Sequence, residues 1–244
     1  IESAIREGLG DLREMVGGYD FSAVVTAYAR GYEQGDSNLQ DSALRWLRGE
    51  YTTKTEARAD LGVRTIIDDT MIYDALRLLA RFVRISGFTG LLVCLDELVN
   101  LYKLQSAQAR KQNYEQILRI LNDVLQGTTE GLGFILGGTP DFLLDTRRGL
   151  YSYEALQSRL AENSFATDGL TDYTGPVINL PNLTPEELFH LLERLRDVFA
   201  AGKAEDWIVP DEVLHAFMGH CANRIGEAYF RTPRNTIKAF VDLL

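Results

Sequence analysis

The chain has 244 residues, 45% of them hydrophobic and 25% charged, with 11 Phe, 11 Tyr and 6 Pro; this composition excludes a disordered or low-complexity protein and leaves room for one sizeable core plus a small second domain. Its 35 Asp and Glu against 25 Lys and Arg give a net charge of -10, which argues against a broad phosphate-tracking surface because such a surface needs clustered positive charge. No stretch approaches the roughly 18 consecutive apolar residues of a membrane span, and no basic-then-apolar signal segment opens the chain, so a soluble cytoplasmic protein without a membrane partner is expected.

The opening IESAIREGLGDL reads as a helix already in progress and starts with Ile1 rather than Met, so a piece of a longer protein is expected. Residues 1 to 87 read as mostly helical. Val24, Val25 and Tyr28, then Leu44, Trp46 and Leu47, fall at helical intervals, with loops at YEQGDSN and near LGVRT. In DDTMIYDALRLLARFVRISGF, Asp68 or Asp69 caps a helix whose stripe is Ile72, Leu76, Leu79, Phe82 and Val83. That stripe reads as core.

After Gly87 comes LLVCL, a short continuous apolar run of the kind buried on both faces of a parallel sheet. The next helix, ARKQNYEQILRILNDVLQG, carries Tyr114, Ile117, Leu118, Leu121 and Leu125 on one face and ends near Gly127. A second strand runs from about Leu132 to Leu136 and stops at Gly137, Gly138, Thr139 and Pro140. Helix, strand, helix, strand is βαβ grammar, and a parallel α/β sheet follows from it. A third strand is expected in PVINLPNL, after the helix SYEALQSRLAENSF. From Thr184 onward the pattern is helical only: Thr184, Pro185 and Glu187 form a capping box, and WIVPDEVLHAFMGHCANR and TPRNTIKAFVDLL complete a small helical unit. The domains are therefore 1–182, α/β with an N-terminal helical region, and 183–244, all helical.

Asp96 and Glu97 stand just beyond the first strand. Carboxylates there lie where open α/β sheets bind ligands, and in nucleoside triphosphatases the aspartate holds Mg²⁺ while the glutamate polarises water. The alternative is a helix cap followed by a solvated first-turn carboxylate. Thr139, at the end of the next strand, offers a hydroxyl at the same sheet edge for a γ-phosphate or attacking water; its other reading is a turn residue before Pro140. Arg234, in the first turn of the last helix, and Arg159 in LQSRLAE can each grip phosphate, or else form surface ion pairs.

Other chemistries find no pattern. GLGFILGG is not G-x-G-x-x-G, and the Gly202-Lys203 pair has Asp197 where a phosphate loop needs its first glycine and Ala204 where it needs Ser or Thr. His190, His215 and His220 lack H-E-x-x-H spacing and read as surface or packed imidazoles. Cys94 and Cys221 belong to no C-x-x-C pattern and read as small buried core residues. The mixed charges of EELFHLLERLRD read as a solvated face.

Taken in order, LLVCLDEL, FILGGTPDFL, LQSRL and RTPRNTIKAFVDLL resemble the AAA+ class of P-loop ATPases. More closely the chain resembles the ATP-binding proteins of bacteriophage-exclusion (BREX) defence systems, over most of its length. The resemblance implies a partial AAA+-like parallel sheet with helices, followed by a small helical lid. It gives Asp96 the Walker B Mg²⁺ role, Glu97 the catalytic-glutamate role, Thr139 the first-sensor role, Arg234 the second-sensor role and Arg159 the place of an arginine finger.

ATP and Mg²⁺ are the implied cofactors, ADP and phosphate the products, and remodelling of a protein or nucleic-acid complex the use. Implied partners are further copies of the chain or other defence-system proteins; nucleic acid is left open, without support from the charge balance. The Walker A loop and its strand would lie upstream of Ile1. With the implied strand order 5-1-4-3-2, that loss parts the strand near Val177 from the one near Phe134, and the chain alone is expected to bind ATP poorly and hydrolyse essentially none. The alternative function is a non-catalytic interaction or scaffold module, favoured by the missing phosphate loop and the charge of -10.

Overall fold

Short polar side chains start the second and third helices. In the computed structural model, which describes residues 8–161, 175–225 and 233–244, α1 spans Gly18–Gln34 and closes on Gly35, whose φ of +69° is the left-handed value a glycine adopts without a Cβ penalty. Helix α2, Ser37–Leu47, begins under Asp36, whose carboxylate accepts the Leu39 N–H. Helix α3, Lys54–Leu61, begins under Thr53, whose hydroxyl accepts the Glu56 N–H. The loops at YEQGDSN and LGVRT separate these elements as expected. Of the helix read in IESAIREGLGDL, residues 1–7 lie outside the described residues, and the described part continues as a 3-10 helix over residues 10–14.

Residues 1–161 and 162–244 form two compact units. In the first, Leu12, Phe21, Val24, Trp46, Val63 and Leu78 share one apolar cluster, with Phe21 edge-on to Trp46 at 6.4 Å and to Phe82 at 5.9 Å. A buried carboxylate locks the LGVRT loop onto it. Asp20, 7% exposed, accepts the N–H groups of Arg64 at 3.0 Å and Thr65 at 2.8 Å and the Thr65 hydroxyl at 2.7 Å. The Trp46 indole N–H donates to the Thr65 carbonyl at 2.8 Å.

Helix α4, Ile72–Ile85, starts later than a cap at Asp68 or Asp69 predicts. Asp68 instead accepts from the Thr70 N–H, the Thr70 hydroxyl and the Met71 N–H, a local turn that delays the helix. Nor is its buried surface the single expected stripe. Leu78 and Phe82 face the first cluster, Tyr73 and Ala80 face the sheet, and Ile72 is exposed. A helix packed between two neighbours is buried on two sides, which one apolar stripe does not encode.

Strands β1, Leu91–Leu95, and β2, Leu132–Leu136, pair in parallel from Leu91 opposite Leu132 to Leu95 opposite Leu136. The crossover between them includes α5, Val99–Lys103, and α6, Ala107–Leu125, the latter capped by Ser106. Leu91, Val93 and Phe134 pack with Tyr73, Leu132 and Ile120. The opposite face is open, with Leu92 59% and Ile135 57% exposed. Burial on both faces is thus corrected to burial on one, because α4 and α6 contribute to the same side. Cys94 lies on the open face and is exposed, against its reading as a core residue, whereas Cys221 is buried. On α6, Tyr114 and Ile117 are buried but Leu125 is exposed. Helices α7, Pro140–Leu144, and α8, Glu154–Leu160, follow β2; the continuation of SYEALQSRLAENSF past Ala161 lies outside the described residues.

In the second unit, PVINLPNL is not a strand. Pro176 and Pro181 bring no N–H to a ladder, no strand among the described residues pairs with it, and Leu180 is 88% exposed. Helix α9, Pro185–Phe199, opens with the predicted capping box: Thr184 accepts the Glu187 N–H at 3.2 Å and Glu187 accepts the Thr184 N–H at 2.8 Å. Helices α10, Asp211–Ile225, and α11, Pro233–Val241, follow, around Leu192, Val209, Leu214 and Phe240. The solvated face read in EELFHLLERLRD has one correction. Arg196 is 2% exposed, donates to Asp211 at 2.6 Å and the Val209 carbonyl at 3.2 Å, and lies 3.6 Å from the Trp207 ring. Among the described residues no helix is long and apolar enough to cross a membrane.

Candidate functional site

Register builds the site. Because Leu95 pairs with Leu136, the next residues, Asp96 and Gly137, are neighbours at the carboxyl edge of two parallel strands. The edge is closed by backbone bonds, Gly137 N–H to the Leu95 carbonyl at 2.8 Å and Leu98 N–H to the Gly137 carbonyl at 3.0 Å. Asp96 shares the alternation of Leu92 and Cys94 and so continues the open face of the sheet. A Cβ on Gly137 would come within 2.8 Å of Asp96 Oδ1, so glycine is what leaves this carboxylate its room.

Glu97 turns the chain off the strand in a left-handed conformation, φ +54°, which costs a residue with a Cβ about 1–2 kcal/mol. Its N–H donates to Asp96 Oδ1 at 2.7 Å, and its Oε2 faces the Asn100 amide at 3.5 Å. Such a backbone outlier falls here on a carboxylate at the carboxyl edge of a parallel sheet. Thr139 is the N-cap of α7, with Pro140 at the first helical position and the hydroxyl accepting the Phe142 N–H at 3.4 Å. The turn reading of Thr139 is realised, and the hydroxyl still has a proton to donate. Asp96, Glu97 and Thr139 are all exposed.

The structure therefore brings Asp96, Glu97 and Thr139 to one sheet edge. Arg159 is tied elsewhere within its own unit, to Asn122 Oδ1 in the last turn of α6 at 2.7 Å and to the Ala155 carbonyl at 2.8 Å. Arg234 is exposed in the first turn of α11, in the second unit; its neighbours Arg231 and Thr232 lie outside the described residues. His190 contacts Glu193 and His215 the Asp211 carbonyl on exposed helix surface. Sequence reasoning missed two residues here. Gly137 was legible only as a strand stop, and Asn100 only through its three-residue spacing from Glu97.

Among the described residues no group of three or more His, Cys, Asp or Glu forms a metal cage. A lone exposed carboxylate beside a glycine does fit Mg²⁺ that arrives with nucleotide phosphates, since that ion keeps several waters and needs one or two carboxylates from the protein. Comparison with curated proteins and with solved structures returned no match. The family described as BREX system ATP-binding protein BrxC/D matches residues 1–244. On that whole-length match, added to the paired strands and their acidic edge, the chain belongs to the BREX system ATP-binding protein family BrxC/D.

Proposed function

We propose that this chain carries the carboxylate half of an ATPase centre of the AAA+ type in its phage-defence system. The observation that carries the reading is the shared edge: Asp96 and Glu97 leave β1, and Thr139 leaves β2, at the carboxyl ends of adjacent parallel strands. Asp96 would hold Mg²⁺, which when bound with ATP supplies positive charge against the charge developing on the transferred phosphoryl group. Glu97 Oε accepts a hydrogen bond from the attacking water and draws its proton away as the oxygen approaches the γ-phosphorus. Thr139 donates its hydroxyl proton toward the γ-phosphate or that water.

Arg234 would sense nucleotide through the helical unit, and Arg159 would reach a neighbouring copy's phosphate after releasing Asn122. No phosphate-loop pattern is legible in the 244 residues; ATP hydrolysis would drive remodelling of a protein or nucleic-acid complex.

In the complete gene product, Glu97→Gln should abolish ATP hydrolysis in a phosphate-release assay and leave ATP binding intact by equilibrium titration. Unchanged turnover would overturn the assignment. A non-catalytic interaction module is the second reading, drawing on the missing phosphate loop and the acidic charge. It predicts no turnover from the wild-type protein either.

A further inference from the structure

Two segments leave the acidic edge of the sheet, and both are short. Helix α5 begins two residues after Glu97, and α7 begins directly after Thr139; each has five residues. Helices this short do not hold themselves in water, so contacts elsewhere must fix where they point, and with them the turn that carries Glu97.

Those contacts form a closed circuit. The Tyr102 hydroxyl of α5 donates to Asp145 Oδ2 at 2.8 Å, and Asp145 is the C-cap residue of α7. Asp145 Oδ1 accepts the N–H groups of Arg147 at 2.7 Å and Arg148 at 3.2 Å. The Arg148 guanidinium then returns to α5, donating to the carbonyls of Tyr102 and Leu104 at 3.1 Å each and lying 5.4 Å from the Tyr102 ring. Two further bonds anchor the circuit to α6. The Tyr114 hydroxyl donates to the Arg148 carbonyl at 2.6 Å, and Arg110 donates to the Leu104 carbonyl at 2.5 Å. A cation on the last carbonyls of α5 also suits the negative end of that helix.

We propose that Tyr102, Asp145 and Arg148 are positioning residues, a brace that sets Glu97 relative to Thr139 and passes a shift of one to the other. None of the three belongs to the acidic edge; they act through α5 and α7. The inference rests on the ATPase reading and adds to it the part that couples the γ-phosphate contact to the water-polarising group. The charge-assisted bonds explain the direction of two acidities: the N–H of Arg147 and the Tyr102 hydroxyl hold the Asp145 carboxyl below the usual range, and Asp145 raises the Tyr102 phenol.

The test is steady-state ATP hydrolysis and separate ATP binding by the complete gene product, comparing wild type, Glu97→Gln, Tyr102→Phe and Asp145→Ala. Tyr102→Phe keeps the ring beside Arg148 and removes only the bond to Asp145. Its kcat should fall about tenfold, the scale of a sub-ångström misplacement of a catalytic group, with KM, ATP binding and melting temperature unchanged. Asp145→Ala should fall at least as far, and the double variant no further than Asp145→Ala alone, as one circuit requires.

Wild-type kcat in Tyr102→Phe, beside a dead Glu97→Gln, overturns the brace and leaves the ATPase reading standing. A raised KM at constant kcat overturns it too. A wild-type protein without turnover, or an active Glu97→Gln, overturns the ATPase reading and the brace with it. If Asp145→Ala melts early, Tyr102→Phe decides.

Discussion

At the scale of single residues, the unusual positions hold polar groups that a five-residue window cannot interpret. Asp20 sits in the first turn of α1, where a carboxylate usually faces solvent near the helix N-terminus. Here it is buried and takes three hydrogen bonds from a loop 44 and 45 residues away. Asp20→Ala would strand the N–H groups of Arg64 and Thr65 without an acceptor and should cost about 3 kcal/mol, read as a lower urea midpoint with an unchanged slope. Asp20→Asn, which keeps an acceptor, should cost less. Glu97 shows the same principle at the candidate site. Its identity drew attention in the sequence, but its left-handed backbone, and the dependence of neighbouring Asp96 on the space beside Gly137, required the fold.

At the scale of elements, local signals read well wherever the determinant lies within a few residues. The strands Leu91–Leu95 and Leu132–Leu136 were legible because each is an apolar run bounded by glycine or acidic residues. The capping box at Thr184 was legible because both bonds span three residues. Thr184→Ala should remove one of those bonds at a cost of about 1 kcal/mol, a fall of about 2–4 °C in melting temperature for a chain of this size.

Faces were less legible, since periodicity says that a side is apolar and not how many neighbours press on it. Helix α4 meets a helical cluster on one side and the sheet on the other, and one of its contacts has a pH signature. Burial, then the Asp123 carboxylate 2.9 Å away, pushes the Tyr73 phenol up from 10.0 to about 12. The folded form therefore resists an ionisation that the unfolded chain undergoes near pH 10. Its stabilisation is complete below that pH and is lost as pH rises toward about 12. Urea unfolding at pH 9 and pH 11 should show wild type losing more stability across that interval than Tyr73→Phe, which has no phenol to ionise.

At the scale of the whole molecule, the family match over residues 1–244 and the acidic edge describe the same chain from two directions, one from its entire sequence and one from a few atoms. By itself the sequence determined the two strands, their crossover grammar, the capped helices and the residue types at the strand ends, because each depends on neighbours a few positions apart. Only the tertiary structure decided the rest. It left one face of the sheet open, unmade the strand expected at 176–183, buried Arg196, and drew Tyr102, Asp145 and Arg148 into one circuit. Apart from the prolines that already disfavour that strand, those outcomes turn on partners more than ten residues away, and a hydrogen bond or a packed face exists only when the fold delivers both sides of it.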